Sequence, residues 1–396
     1  MRRLPPAVLC MLLLLCGGMA VAREKASIVL GLHADMSSGS ALGGEAIRRG
    51  ALIAISEINA QGGLLDGREL ELVVKDHHGV PGRATEQLPE LASTPNLVAL
   101  LSGPHSPPVL RNLPFIHDHQ LIVLSPWAAA TDLVHHGRTP NYVFRVSAND
   151  ARVGEFLVAQ ALARGHRKLG LILERTGWGR SSEKAIGEAL ARRQLAPASV
   201  QWVNWAEEDV EEQVAALERA GADTLLMVAH APEGVGIVKA VARRPPGKRL
   251  PIYAHWGICG GDFVRQVGES LSQVELHVFQ TYSFLGARSA RARAVIAKYH
   301  ELFGTTSEEQ IFGAVGTAQA YDAVWLLARA IQKARSIERP RVRDALERLG
   351  PYAGLVRTYQ PAFTPSRHEA LEPSDYTLAA FDARGVLVPS HPRTSP

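Results

Sequence analysis

The stretch SIVLGLHADMSSGSALGGEAIRRGALIAISEINAQGG, residues 27–63, holds the reading on which the fold turns. Ile28-Val29-Leu30-Gly31-Leu32 shows no polar alternation, so it predicts a strand buried on both faces. From Glu45 to Ala60 the residues Ile47, Leu52, Ile55 and Ile58 fall near one helical face. Asn59-Ala60-Gln61-Gly62-Gly63 then stops the helix, because glycine reaches the left-handed conformation that closes a helix C-terminus. Outward from there, Glu69 to Lys75 predicts a second strand, and Pro81 opens a helix to about Ala92. Leu97–Leu101 and Leu121–Leu124 predict two more strands. The succession βαβα implies a parallel sheet covered by helices on both faces.

The same rhythm restarts near Tyr142. Strands are expected at Lys168–Leu173, Val200–Asn204, Thr224–Val228, Pro251–Ala254 and Glu275–Gln280. Helices are expected at Asp150–Arg164, Ser181–Gln194, Val210–Ala220 and Gly234–Arg243, then at Arg288–Phe303, Gly313–Ala334 and Pro340–Leu349. Tyr352 to Phe381 reads as short strands with turns. The expected fold class is α/β, with two doubly wound parallel-sheet lobes and a chain that crosses between them more than once.

The 396 residues are 46% apolar and 21% charged, an ordinary globular balance with room for two or three domains. A net charge of +4 is spread along the chain, which does not make a nucleic-acid footprint. Arg2 and Arg3 precede the apolar run Ala7–Cys16, and small residues follow to Ala20 and Ala22. That order describes a secretory signal over residues 1–22, cleaved near Ala22, and the run is short for a span of about 20 residues. The competing readings are an uncleaved anchor and a lipidated Cys16. With Cys10 and Cys16 removed, Cys259 is alone and no internal disulfide is expected.

Several short motifs keep a specific order. They are Asn59–Gly63, Asp76, Pro81, Ser102-Gly103-Pro104-His105-Ser106 and Leu124-Ser125-Pro126. Further along come Tyr142–Val146 with Asp150, Gly177-Trp178-Gly179 and Tyr321-Asp322-Ala323-Val324. Together they resemble the leucine/isoleucine/valine-binding family of periplasmic proteins, with the type I periplasmic-binding fold, from about Ser27 to Leu349. The resemblance implies two lobes joined by a multi-strand hinge, solute capture by closure, an ABC permease as partner, and a periplasmic location. It suggests lobe 1 at 23–146 plus 281–350, lobe 2 at 147–280 plus 351–383, and a tail at 384–396.

In open parallel sheets ligands sit beyond the strand C-termini, where helix N-termini converge. The loops carrying His105 and Ser106, and Ser125, Ala128 and Ala129, are therefore expected to present amide donors and a hydroxyl to a carboxylate. By family position, Trp178, expected on a loop between Gly177 and Gly179, and His230 would face them from the second lobe. The family's acidic contact for a ligand ammonium is absent from Ala254-His255-Trp256-Gly257, and its first-loop aromatic is replaced by Leu42-Gly43-Gly44. Trp178 and Trp256 are therefore expected to sandwich a flat acid.

The histidine groups Asp76-His77-His78, His117-Asp118-His119 and His135-His136 lack zinc-site spacing, and His117 and His119 read as solvated turn residues. No nucleophile elbow or dinucleotide fingerprint is found. The expectation is a monomeric binding protein without cofactor or metal, taking an amino acid or a related small carboxylate, aromatic ones included. A ligand-sensing module for a signalling receptor and a cleft hydrolase are the rivals.

Overall fold

The computed structural model describes residues 26–390, so the signal segment expected over residues 1–22 lies outside the described residues. The first half folds as β1 (Ile28–Ala34), α1 (Ala41–Ala60), β2 (Leu70–Asp76), α2 (Pro81–Ala92), β3 (Leu97–Ser102), α3 (Ser106–Asp118), β4 (Ile122–Ser125) and β5 (Val143–Arg145). These strands form one all-parallel sheet in the order β2-β1-β3-β4-β5. The chain then builds α4 (Asp150–Ala163), β6 (Leu169–Glu174), α5 (Gly177–Ala191), β7 (Ser199–Val203), α6 (Glu211–Arg219), β8 (Thr224–Val228), α7 (Ala231–Ala242), β9 (Ile252–Ala254), α8 (Phe263–Val267) and β10 (Leu276–Gln280).

It returns with α9 (Ala290–Phe303), α10 (Ala314–Ala334) and α11 (Arg339–Leu346), which pack on the first sheet and on α1. Gly50 makes that packing close, since a Cβ there would overlap the Thr317 carbonyl of α10. The hairpin β11 (Tyr352–Ala353) and β12 (Thr358–Tyr359) follows, then β13 (Thr377–Phe381) and β14 (Leu387–Pro389). The second sheet has the order β14-β13-β10-β9-β8-β6-β7. Its β6–β10 part is parallel and repeats the winding of the first sheet, while β13 and β14 add antiparallel at one edge.

The two-lobed α/β class read from the sequence is what the structure holds. Three differences have local causes. Helix α1 starts at Ala41, not Glu45, because the buried Asp35 carboxylate organises the preceding loop. It accepts from the backbone of Ser37, Ser38 and Ser40. Helix α5 starts at Gly177, not Ser181, because Thr176 caps it by accepting from the Gly179 N–H at 3.3 Å. The sequence also gives no warning of α8 or of the 3-10 turn Trp256–Gly260.

The chain passes between lobes after β5, after β10 and before β13. Buried Asp322 of α10 holds the hairpin region to the first lobe, accepting from Leu355 N–H (2.6 Å), Val356 N–H (2.9 Å) and the Tyr359 hydroxyl (2.7 Å). The sequence reading puts 351–383 in the second lobe and a tail from 384. From these contacts we propose that 351–370 belong to the first lobe and that the second runs through Pro389.

At the crossing itself, fully buried Arg145 donates to the Ala129 and Ala130 carbonyls at 3.0 and 2.7 Å and pairs with Glu369. Glu369 also accepts from Asn149, and His135 stands 3.0 Å from it. Burial works to raise the Glu369 carboxyl, but Arg145 and His135 hold it down at about 2.

Candidate functional site

In each sheet the winding reverses between the first and third strands, and a crevice opens beyond their C-terminal ends. In the first lobe that crevice lies between β1, which runs into Asp35, and β3, which runs into His105. In the second it lies between β6, which ends in Glu174, and β8, which leads to His230. The two crevices face each other. The rings of His105, N-cap of α3, and His230, N-cap of α7, are 4.5 Å apart across the seam.

Apart from Asp35, whose carboxylate is taken up by the Ser37, Ser38 and Ser40 N–H groups, the first-lobe wall around α3 is uncharged. Ser106 is buried and its hydroxyl oxygen accepts from the Ala130 N–H at 3.1 Å. The Ser125 hydroxyl donates to the Ala128 carbonyl at 3.3 Å, and the Ala129 carbonyl accepts from the Asp150 N–H at 2.9 Å. These groups, expected to meet a ligand, spend much of their hydrogen bonding on one another. Trp127 fills the adjoining space with its ring T-shaped to Trp256 at 6.4 Å, and its Nε1 has no partner.

The second-lobe wall is charged. Trp178 does not sit in an open loop: it is buried in the first turn of α5, and its Nε1 donates to Asp150 Oδ1 at 3.2 Å. Trp256 is buried against Phe279 (5.0 Å). The two indoles do not form an empty sandwich, because His255 packs edge-on against both, at 5.1 and 5.4 Å. The His255 Nδ1 accepts from the Trp256 N–H at 2.9 Å, so Nε2 carries the proton, and it stands 3.2 Å from Asp150 Oδ1. Asp150 Oδ2 has no partner.

Next to this group, His230 Nδ1 donates to Glu174 Oε2 at 2.6 Å. Burial opposes charge on His230, yet the carboxylates of Glu174 and Glu233 keep its pKa above the ordinary imidazole value. Glu233 is pushed up by burial and by Glu174. On the opposite wall His105 goes well below the ordinary value, through burial first and then through His230 and His77. His77 and His33 continue the row into the first lobe at ring separations of 6.4 and 4.9 Å, each held at about 4 chiefly by burial. The exposed Trp205 covers the row from outside, 5.2 Å from His105 and stacked 5.7 Å from His230.

Sequence reasoning missed Asp150 as a wall residue, along with Glu174, Glu233 and Trp205. One signal was available: Glu174 is the last residue of a strand whose C-terminal end borders the crevice. His117 and His119, read as solvated turn residues, close α3, and His117 is half-buried against His136 at 4.5 Å.

A separate cavity of about 400 Å³ lies nearer the hinge strands, lined from both lobes by Leu42, Ile258, Cys259, Tyr282, Phe284 and Phe312. Burial pushes the Cys259 thiol up to about 12, so it is inert at neutral pH. The cavity offers volume and a mixed lining that also carries Asp262, Gln280, Glu308, Glu309 and Arg384, whereas the seam gathers unpartnered buried polar atoms.

Residues 27–385 match the family model described as periplasmic binding protein. No curated protein matches the sequence. Among solved structures, a periplasmic binding protein type 1 from Bordetella pertussis Tohama I is similar at 21% identity and TM-score 0.81, covering 92% of this chain and 99% of that one. A branched-chain amino acid transporter substrate-binding protein from Streptococcus pneumoniae, in complex with isoleucine, is similar at 19% and 0.76, covering 92% and 100%. A solute-binding protein of an ABC transporter from Rhodopseudomonas palustris, in complex with p-hydroxybenzoic acid, is similar at 16% and 0.78, covering 92% and 95%.

Proposed function

Because the chain belongs to the periplasmic binding protein family, we propose that it captures an amino acid or related small carboxylate between its lobes. It then delivers that solute to an ABC permease of the inner membrane and performs no chemistry on it. The observation that carries this reading is the meeting of two strand-end crevices across a seam that the chain spans three times. Such a hinge lets one lobe swing against the other, and a guest bound to both walls favours the shut form.

The uncharged wall around α3 takes the carboxylate. The α3 N-terminus, His105 and Ser106, and the Ser125–Ala129 turn with Ala128 supply amide and hydroxyl donors once the lobes part and a guest replaces their internal partners. Trp178, His230 and Trp256 cover the guest from the second lobe. Asp150 supplies what the stretch 254–257 lacks, because its unpartnered buried Oδ2 offers a counter-charge to an ammonium group. That brings amino acids back beside flat acids as guests. The solved relatives holding isoleucine and p-hydroxybenzoic acid bracket the same class.

A micromolar affinity needs only about 8 kcal/mol, which a few such bonds plus ring burial supply. The mature protein is a periplasmic monomer released by cleavage near Ala22; no helix among the described residues is long and apolar enough to cross a membrane. A thermal-shift screen of amino acids against aromatic and aliphatic acids tests the reading, read again on Asp150→Asn. Amino-acid shifts should shrink in that variant while shifts by simple acids persist. No shift with any carboxylate would end the proposal.

A further inference from the structure

Glu174, His230 and Glu233 each bring one ligand atom to within 4.8 Å of the others. They are 0, 4 and 1% exposed. Their own bonding is incomplete. Glu174 Oε2 accepts from the His230 backbone N–H (3.3 Å) and from Nδ1 (2.6 Å), and Glu233 Oε1 accepts from the Ala206 N–H. Glu174 Oε1 and Glu233 Oε2 are left without a partner. Across the seam His105, only 2% exposed, keeps an unpartnered Nδ1 on a ring 4.5 Å from that of His230.

Two carboxylates around one imidazole lie out of water here, and two of their oxygens have no partner, so the group needs protons or a metal cation to balance it. Left unbalanced, it costs several kcal/mol. The donor set says which cation. Two carboxylate oxygens with imidazole nitrogens suit zinc, cobalt or nickel, whereas calcium asks for six to eight oxygens. We propose that these residues form a divalent transition-metal site across the seam, with Glu174, His230 and Glu233 as ligands from one lobe and His105 completing it from the other.

Zinc bonds of 2.0–2.2 Å place tetrahedral ligands roughly 3.4 Å apart, so the cluster need contract by no more than about 1.4 Å. His230 and Glu233 stand one helical turn apart at the start of α7, and Glu174 faces them from the end of β6, so three ligands are preset within one lobe. Closure adds the fourth. His105 and His230 are shared with the proposed solute walls, so the metal rests on that reading of the seam, but the ligand set does not depend on which organic solute the protein takes.

The test uses the untagged mature chain, stripped with EDTA and titrated with Zn²⁺ by calorimetry and with Co²⁺ by visible absorption. One Zn²⁺ per chain is expected, with the d–d bands of a four-coordinate nitrogen/oxygen Co²⁺ site. Glu233→Gln should weaken Zn²⁺ at least tenfold. His105→Ala should weaken it less and abolish any fall in radius of gyration on adding metal, which guards against a variant that fails to fold. Absence of heat and bands in the wild type overturns the proposal. So does wild-type affinity in Glu233→Gln, since the metal would then sit on surface histidines such as His119 and His135. A carboxylate-induced thermal shift in the stripped protein upholds the solute reading whatever the metal does, so the two can fail separately.

Discussion

The molecule buries carboxylates both at the hinge and at the seam, and it treats these two sets oppositely. At the hinge, Glu369 is matched by Arg145, Asn149 and His135, and its carboxyl is held down at about 2. At the seam, Glu174 and Glu233 share one histidine, each keeps an oxygen without a partner, and Glu233 is pushed up. A low dielectric strengthens a complete pair and penalises an incomplete one by the same physics. The hinge cluster is therefore a fastening, while the seam cluster is a set of free valences awaiting a cation.

Breaking the hinge should have the largest effect. Arg145→Met leaves buried Glu369 without its guanidinium and with only Asn149 and His135 beside it, and it should cost about 3 kcal/mol in urea denaturation at pH 7. Acid titration sharpens the contrast. A depressed Glu369 contributes stability that is present above the unfolded carboxyl value near 4.5 and lost as pH falls through about 2, so Glu369→Gln should flatten that loss. Glu233, pushed up, has the reverse sign: its stability is full below about 4.5 and is lost as pH rises through its raised value.

Closure is a smaller and more local matter. A Cβ on Gly261 would overlap the Gly39 carbonyl oxygen of the facing lobe. Gly261→Ala should weaken solute binding about tenfold, or 1.4 kcal/mol, and, because the same Cβ would stand 2.7 Å from the Ala231 Cβ of its own lobe, it should also slightly lower the stability of the solute-free protein. The smallest effect is expected from Glu233→Gln in metal-free protein at pH 7. Relief of a buried like-charge pair should leave Tm unchanged or raise it, where a comparable change at the hinge lowers it.

The layered α/β plan was legible because strand runs such as Ile28–Leu32 carry unbroken apolar character, and that survives any tertiary detail. The strand-end rule also pointed to His105 and His230, whose rings meet at the seam. Trp178 was misread because Gly177 and Gly179 look like a turn, while the Thr176 cap that starts a helix there is a single hydroxyl. The Glu174–His230–Glu233 cluster escaped because spacing rules look along the chain, and β6 and α7 bring together residues that nothing in the local sequence associates. Asp150 was read as a motif residue, and only the packing of α4 beside His255 and Trp178 reveals it as a counter-charge.

The order in which the chain completes its lobes has a consequence for its birth. Helix α1 waits for α10 to cover it, some 250 residues later, and β10 waits for β13 near the C-terminus. Neither half can complete its core until those late segments exist, so each lobe lacks packing partners until the chain is nearly finished. A chain of that kind suits a narrow translocation channel, which accepts only what has not yet folded.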